Sequence, residues 1–377
     1  MSSMEPIYLD YNATTPIDPE VADAMRPYLD GYFGNPSSAH LHGITARKAV
    51  ETARLQVAEL LNCEPDEIVF TSGGTESNNF AIKGIAFANR DAGNHIITSA
   101  IEHPAVTEVC VYLKTLGYTT TMIPVDESGC INPEELEQAV TAQTILITVM
   151  HANNEVGTIQ PIEEISKLAR DRGIVFHTDA AQSVGKIPAD VRHLGVDLLS
   201  VAGHKVYAPK GVGALFVSRG TRLEKFMHGA GHERNMRAGT ENVLEIVGLG
   251  KACEIARRDL AVNMDRMKNL RDRLHDGLES LGKDIRLNGH PKKRLPNTLS
   301  IGFRNREAPT LLNELIIADI SASAGSACHA GETTISHVLA AMKVPFDYAA
   351  GTLRLSMGKM TTEAEIDQVI ERMAKLL

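Results

Sequence analysis

The sequence predicts an α/β protein: a large domain on a mostly parallel seven-stranded sheet, with a smaller α+β domain toward the C-terminal end. Three observations carry this. Seven short apolar runs alternate with amphipathic stretches over the first 220 residues, the pattern of parallel strands covered by helices on both faces. Beyond about residue 220 the alternation gives way to a near-continuous helical stretch and then to shorter mixed elements. The length of 377 residues exceeds what one small core serves and suggests two domains, or a large one with a smaller partner.

The elements follow in order. Strand-like runs fall at 68–71, 95–99, 121–125, 145–150, 174–177, 198–202 and 214–218. Helical patterns lie between them at 46–61, 77–89, 105–116 and 161–172. The stretch 241–281 is almost continuously helical, and strands at 297–303, 320–323 and 353–356 follow, with a helix at 309–315. The last helix opens on Thr362-Glu363-Ala364-Glu365, a capping-box pattern. The expected division is 14–255 for the large domain, and 1–13 with 256–377 for the small one.

Composition narrows the function. Hydrophobic residues make up 43% and charged residues 23%, ordinary for a globular enzyme. A net charge of −9 argues against nucleic acid or an anionic membrane as a direct partner. The one compact basic run, Lys292-Lys293-Arg294, reads as a solvated loop. No stretch has the length of a membrane span, and Met1-Ser2-Ser3-Met4-Glu5-Pro6 lacks the basic-then-apolar start of a secretory signal. Five cysteines form no Cys-x-x-Cys pair, which implies reduced thiols, a cytoplasmic setting and no metal site.

Two strand ends carry the first chemical signal. Lys205 follows the run 197–202 through Gly203-His204, and Asp179 ends the run Phe176-His177-Thr178. Ligands in such sheets sit at carboxyl ends of strands. A lysine amine and a carboxylate placed there are the two groups pyridoxal phosphate needs: one condenses with its aldehyde, the other keeps its pyridine nitrogen protonated. Asp179 is also placed to cap a helix, with Gln182 three residues on.

Phe70-Thr71-Ser72-Gly73-Gly74-Thr75-Glu76 supplies a phosphate cup. Its glycines let the backbone approach an anion, and the following helix offers free N–H groups, with Thr75 as hydroxyl donor. Taken alone, a Gly-Gly turn is also an ordinary connection. His103 lies just past a strand end, where a histidine can stack on a pyridine ring and move protons. Asn153 and Asn154 follow another strand, and amides there can bond the cofactor's phenolic oxygen. Cys328 sits in a run of small residues, 320–331, beside His329, a setting that favours a reactive thiol over a buried one. Arg354, inside an apolar strand, requires an anion, for which a substrate carboxylate is the natural partner. Gly211-Val212-Gly213 lacks the third glycine of a dinucleotide fingerprint, His232-Glu233 lacks the second histidine of a zinc-protease helix, and no Walker A sequence is present.

Together these residues resemble the cysteine desulfurases, fold-type I, class V aminotransferase-like pyridoxal-phosphate enzymes. The resemblance spans nearly the whole chain. It includes Tyr8 to Thr15, Phe33 to Pro36, Gly74 to Ser77, Glu102-His103, Asn153 to Glu155, His177 to Gln182, Gly203 to Lys205, Gly231 to Arg234, Arg237 to Thr240 and Gly325 to Cys328. It implies a role for each matching residue. Lys205 forms the Schiff base; Asp179 pairs with the pyridinium; Gln182 and Asn154 bond the phenolic oxygen; His103 stacks on the ring. Gly74, Thr75 and His204 hold the phosphate, with Thr240 of a second subunit, hence a homodimer. Asn35 and Arg354 hold the carboxylate of L-cysteine. The freed Lys205 amine takes the Cα proton, the Cys328 thiolate attacks the substrate sulfur, and the products are alanine and a persulfide for an acceptor protein. Catalytic roles fall to Cys328, Lys205 and His103.

Three departures bear on acceptor and substrate. Ala202 stands where the family has a serine. His329 to Thr334 replaces the Ser/Thr-rich run of housekeeping members, and Cys328-His329 with Val344 to Asp347 is more similar to selenocysteine lyases. The chain also stops soon after its last helix, without the longer tail of housekeeping members. Selenocysteine lyase is therefore the alternative reading. An aminotransferase or decarboxylase, in which Cys328 is incidental, or a binding protein that keeps the pocket, are further ones.

Overall fold

The chain enters through a short strand, β1 (Ile7–Tyr8), and then builds one large sheet from β2 (Ile68–Thr71), β3 (His95–Ser99), β4 (Thr119–Ile123), β5 (Thr144–Thr148), β6 (Val175–Asp179), β7 (Leu198–Ala202) and β8 (Gly213–Val217). The computed structural model describes residues 6–324 and 335–377. The strand order is β2-β8-β7-β6-β5-β3-β4. Neighbours from β7 through β4 are parallel, and β8 runs antiparallel to both strands beside it.

Adjacent residues of the central strands point into different cores. Ile97, Ile147 and Leu199 join the cluster containing Val57, Leu61 and Leu249; Ile96, Leu146 and Leu198 join the one containing Phe80, Ile85 and Leu113. Both faces of the sheet are thus covered, which is why these strands read as unbroken apolar runs. The edge strand β4 is half-exposed and made of Thr119, Thr120, Thr121 and Met122 before Ile123, all but Met122 β-branched and suited to a one-sided surface. It ends earlier than expected from the sequence because Pro124 has no N–H to continue the ladder.

A second sheet has the order β12-β13-β10-β9, all antiparallel, where β9 is Ile285–Asn288, β10 is Thr298–Phe303, β12 is Ser323–Ala324 and β13 is Thr352–Ser356; β11 (Ile320–Ser321) pairs in parallel with β1. Strand β9 has no counterpart in the sequence reading, since Arg286 and Asn288 break its apolar run. The 38-residue helix Val243–Ser280 serves both cores. Its first half places Leu249 and Cys253 under the large sheet, and its second half places Leu270, Leu274 and Leu278 against Leu299, Ile301 and Leu353. The last helix, Glu363–Leu376, carries the expected box: the Thr362 hydroxyl accepts the Glu365 N–H, and the Glu365 carboxylate accepts the Thr362 N–H.

The N-terminal segment ties the two sheets together. Tyr11 N–H donates to the Ser356 carbonyl, Asn12 N–H to the Ser356 hydroxyl, and Thr15 N–H to the His204 carbonyl. Residues 10–15 therefore cross from the small sheet to the carboxyl ends of β6 and β7.

Candidate active site

A cavity of about 390 Å³ opens at those strand ends. Lys205 lies one short turn beyond β7, and Asp179 closes β6. The Lys205 amine donates to the backbone carbonyls of Asn12 and, at 2.8 Å, Ala13. Burial pushes its pKa down to about 8, and the nearby Arg354 cation adds to the effect. A sizeable share of free amine thus exists near neutral pH, which nucleophilic attack on an aldehyde requires.

The Asp179 carboxylate is fixed on both oxygens. Oδ1 accepts the Ala181 N–H at 2.9 Å, and Oδ2 accepts from Asn78 Nδ2 at 2.7 Å. The local cap that the sequence allowed is therefore real, yet the residues after Asp179 form turns rather than a helix. Asn78 sits one turn into the helix Gly74–Ala88, and its buried Oδ1 has no partner among the described residues.

The Gly-Gly pair before that helix divides its work. Gly73 has φ of 149°, a region that favours glycine. Gly74 lies so close to Ala202 that an added Cβ would come within 3.1 Å of the Ala202 side chain. With Thr75, this is a bare helix N-terminus facing the cavity, and such a terminus binds anions. His204 lines the same end. Its Nδ1 is 3.2 Å from the Thr14 hydroxyl, and burial with three nearby lysines pushes its pKa down to about 4, so it is neutral at pH 7.

His103 caps the helix Pro104–Lys114, its Nδ1 accepting the Ala105 N–H at 3.1 Å. Burial lowers its pKa. A neutral ring with an accepting Nδ1 carries its proton on Nε2. Behind it, Glu102 is fully buried, accepts from the Ser99 hydroxyl and the Met150 N–H, and is pushed up to about 8 by burial.

The far end of the cavity is built by three distant segments. Arg354 on β13 donates from Nη2 to Asp10 Oδ1 at 2.8 Å and from Nη1 to the Asn154 carbonyl at 3.1 Å, while its buried Nε has no partner among the described residues. The anion that a buried arginine demands is thus partly supplied by Asp10. Asn153 shapes the adjoining turn, its Oδ1 accepting the N–H groups of Glu155 and Val156, and Asn154 faces the cavity.

Nine of the residues singled out from the sequence line this one space: Gly74, Thr75, His103, Asn154, Asp179, Gln182, His204, Lys205 and Arg354. Two do not. Asn35 is exposed, its Oδ1 accepting the Ser37 N–H, and Thr240 is exposed. Cys328 lies outside the described residues. The other four cysteines are all disfavoured as thiolates, because burial pushes Cys63, Cys110 and Cys253 up to about 12 and raises Cys130 as well.

Asn12, Asn78 and Asp10 were not singled out for the site. Asn78 is readable as the position four residues after Gly74, on the same helix face. Asp10 and Asn12 lie in the motif from Tyr8 to Thr15, but nothing in their local pattern shows where the chain carries them.

The chain matches the family model "Aminotransferase class-V" over residues 7–369. It is 47% identical over 371 residues to a cysteine desulfurase IscS of Dictyoglomus turgidum, covering 98% of this chain and 94% of the relative. The chain belongs to the cysteine desulfurase family. A solved NifS-like protein superposes on this family member with a TM-score of 0.93 at 39% identity, over 98% of this chain and 99% of the other. A structure of SspA in complex with cysteine superposes with a TM-score of 0.83 at 37% identity, over 94% and 100%.

The desulfurase family depends on pyridoxal phosphate, and the cavity fits that group. Its volume suits a small cofactor. A carboxylate, a depressed lysine and a glycine-lined helix N-terminus converge on it, and two buried polar atoms among the residues around it, Asn78 Oδ1 and Arg354 Nε, lack partners among the described residues.

Proposed function

We propose that this chain removes sulfur from L-cysteine, giving L-alanine and a persulfide on Cys328 that passes to an acceptor protein. The observation that carries the reading is the convergence of Asp179, Lys205 and Arg354 on one cavity in a member of this family. Pyridoxal phosphate supplies the aldehyde and the electron-accepting ring. The chain's own residues do the rest. Gly74, Thr75 and His204 hold the phosphate. Asp179, oriented by Asn78, keeps the ring nitrogen protonated, and Gln182 and Asn154 face the phenolic oxygen. His103 covers the ring with its Nε2 proton available. Arg354 takes the substrate carboxylate; Asn35, which lies outside the cavity of the single chain, is assigned to the same carboxylate by the family resemblance alone. The Lys205 amine removes the Cα proton. The Cys328 thiolate then attacks the cysteine sulfur: a sulfur–sulfur bond forms, the carbon–sulfur bond breaks, and its electron pair goes to the alanine carbon skeleton.

The same reading includes a cytoplasmic homodimer in which Thr240 reaches the phosphate of the other subunit, and a division at 14–255 against 1–13 with 256–377. Iron–sulfur cluster assembly is the proposed destination of the sulfur. Among the described residues no helix is long and apolar enough to cross a membrane.

The test is turnover of cysteine by the purified yellow protein, with alanine and sulfur counted together. One alanine per sulfur, lost in Cys328→Ser with the colour retained, is the expected result. Wild-type sulfide release by Cys328→Ser would overturn the persulfide route. Turnover of selenocysteine that does not depend on Cys328 would favour a lyase instead.

A further inference from the structure

Lys186 is a buried lysine that the chemistry above does not use. It is 5% exposed. Its Nζ donates to Gln182 Oε1 at 2.9 Å and to Asn12 Oδ1 at 3.4 Å. No carboxylate pairs with it among the described residues, and the charges that bear on it are the cations Lys205 and Arg354. Burial, reinforced by those two, pushes its pKa well below the ordinary lysine range. A desolvated amine beside two cations is costly. What it does in return is hold one side chain.

Gln182 is pinned at both ends of its carboxamide. Oε1 accepts from Lys186, and Nε2 donates to the Asn12 carbonyl at 3.0 Å. Asn12 is itself immobile: fully buried, it donates from Nδ2 to the Asn154 carbonyl and the Thr298 hydroxyl, and its Oδ1 accepts from Asn297. A carboxamide turned by half a rotation has almost the same shape, so hydrogen bonds alone choose between the two orientations. The reversed one sets an oxygen against the Asn12 carbonyl and takes the acceptor away from Lys186. In the observed one, Nε2 keeps a second hydrogen for the cavity that Gln182 lines.

We propose that Lys186 is a positioning residue: its amine fixes the Gln182 carboxamide so that an N–H, and not the carbonyl oxygen, faces the phenolic side of bound pyridoxal phosphate. The inference rests on the cofactor assignment above. An N–H that draws on the charge of the phenolic oxygen weakens that oxygen's hold on the proton it shares with the Lys205 nitrogen. The pH at which the visible band titrates therefore reports the orientation of Gln182.

The experiment uses the holoprotein and follows that band against pH. Wild type must first show the band; its absence would overturn the cofactor reading and this inference with it, whereas a band with a wild-type midpoint in Lys186→Met would overturn this inference alone. Lys186→Met is expected to bind the cofactor and to move the titration midpoint up by about one pH unit, the weight of a single hydrogen bond. Gln182→Leu is expected to move it by a similar amount, and the double variant no further than either single one. Additive shifts, or a wild-type midpoint in Lys186→Met, would overturn the proposal. Lys186→Gln keeps a donor and is expected to titrate as wild type. If only this variant folds, an unchanged midpoint supports the proposal and a displaced one overturns it.

Discussion

The two ends of the cavity are assembled in different ways. The cofactor end comes from consecutive strands of one sheet, whose carboxyl ends deliver Asp179 and Lys205 side by side. The substrate end comes from Asp10, Asn154 and Arg354, which meet only when the N-terminal segment and the small sheet close over the large one. The first end is set by local topology. The second is set by tertiary closure, and its charges compensate one another before any substrate arrives.

The largest expected effect breaks the cofactor end. Lys205→Ala should lose the visible band, and turnover should fall by roughly 10²–10⁴-fold, the weight of a positioned proton-transfer group. In apo-protein, the rate of cofactor capture should climb as pH rises through about 8 and level off above it, because the free amine is the reactive form and the folded protein holds its pKa there. Stopped-flow absorbance measures this. A midpoint near the ordinary lysine range would contradict the burial account.

At the substrate end, Arg354→Ala should raise KM for cysteine about 10- to 100-fold, the range for a hydrogen bond to a charged group, with the visible band kept. The same change removes a cation that depresses Lys205, so the capture midpoint should move to higher pH. This links the two ends in one variant.

Asp10→Asn tests closure itself. It leaves the Arg354 charge mostly buried with weaker partners and should destabilise the fold by about 1–3 kcal/mol. The exposed pair Arg273–Asp367, with side chains 48% and 52% exposed, should by contrast be worth about 0–1 kcal/mol. Chemical denaturation of Asp10→Asn and Asp367→Asn compares the two directly.

A pH-dependent effect lies behind His103. Glu102 has a folded-state pKa raised from 4.5 to about 8. The unfolded chain therefore releases its proton first, and stability contributed by this group is lost as pH rises from 4.5 toward 8. Glu102→Gln mimics the protonated form. It should match wild type near pH 4 and be the more stable of the two at pH 8, read from thermal unfolding at both values.

The same contrast explains what was legible in the sequence. Strands 68–71, 95–99 and 198–202 fall where their apolar runs predicted, because burial on both faces leaves a plain signal. Asp179 and Lys205 were readable for the same reason, as polar residues at the ends of such runs. Strand β9 was not, since Arg286 and Asn288 interrupt it. Asp10 and Asn12 lie hundreds of residues from Arg354 and Ser356, and no local pattern encodes that meeting. Lys186 reads as a surface lysine from its neighbours, and only the packed structure shows it buried beneath Gln182. Arg354 was half-legible: its need for an anion could be inferred, but not that Asp10 would meet part of it.

The central claim is that sulfur leaves cysteine through Cys328. Peptide mass spectrometry of the protein, quenched after brief exposure to cysteine without reductant, tests it directly. The account predicts one added sulfur on the peptide containing Cys328 and none on those containing Cys63, Cys110, Cys130 or Cys253. Alanine formed with no added sulfur at Cys328, or with the sulfur on another cysteine, would contradict it.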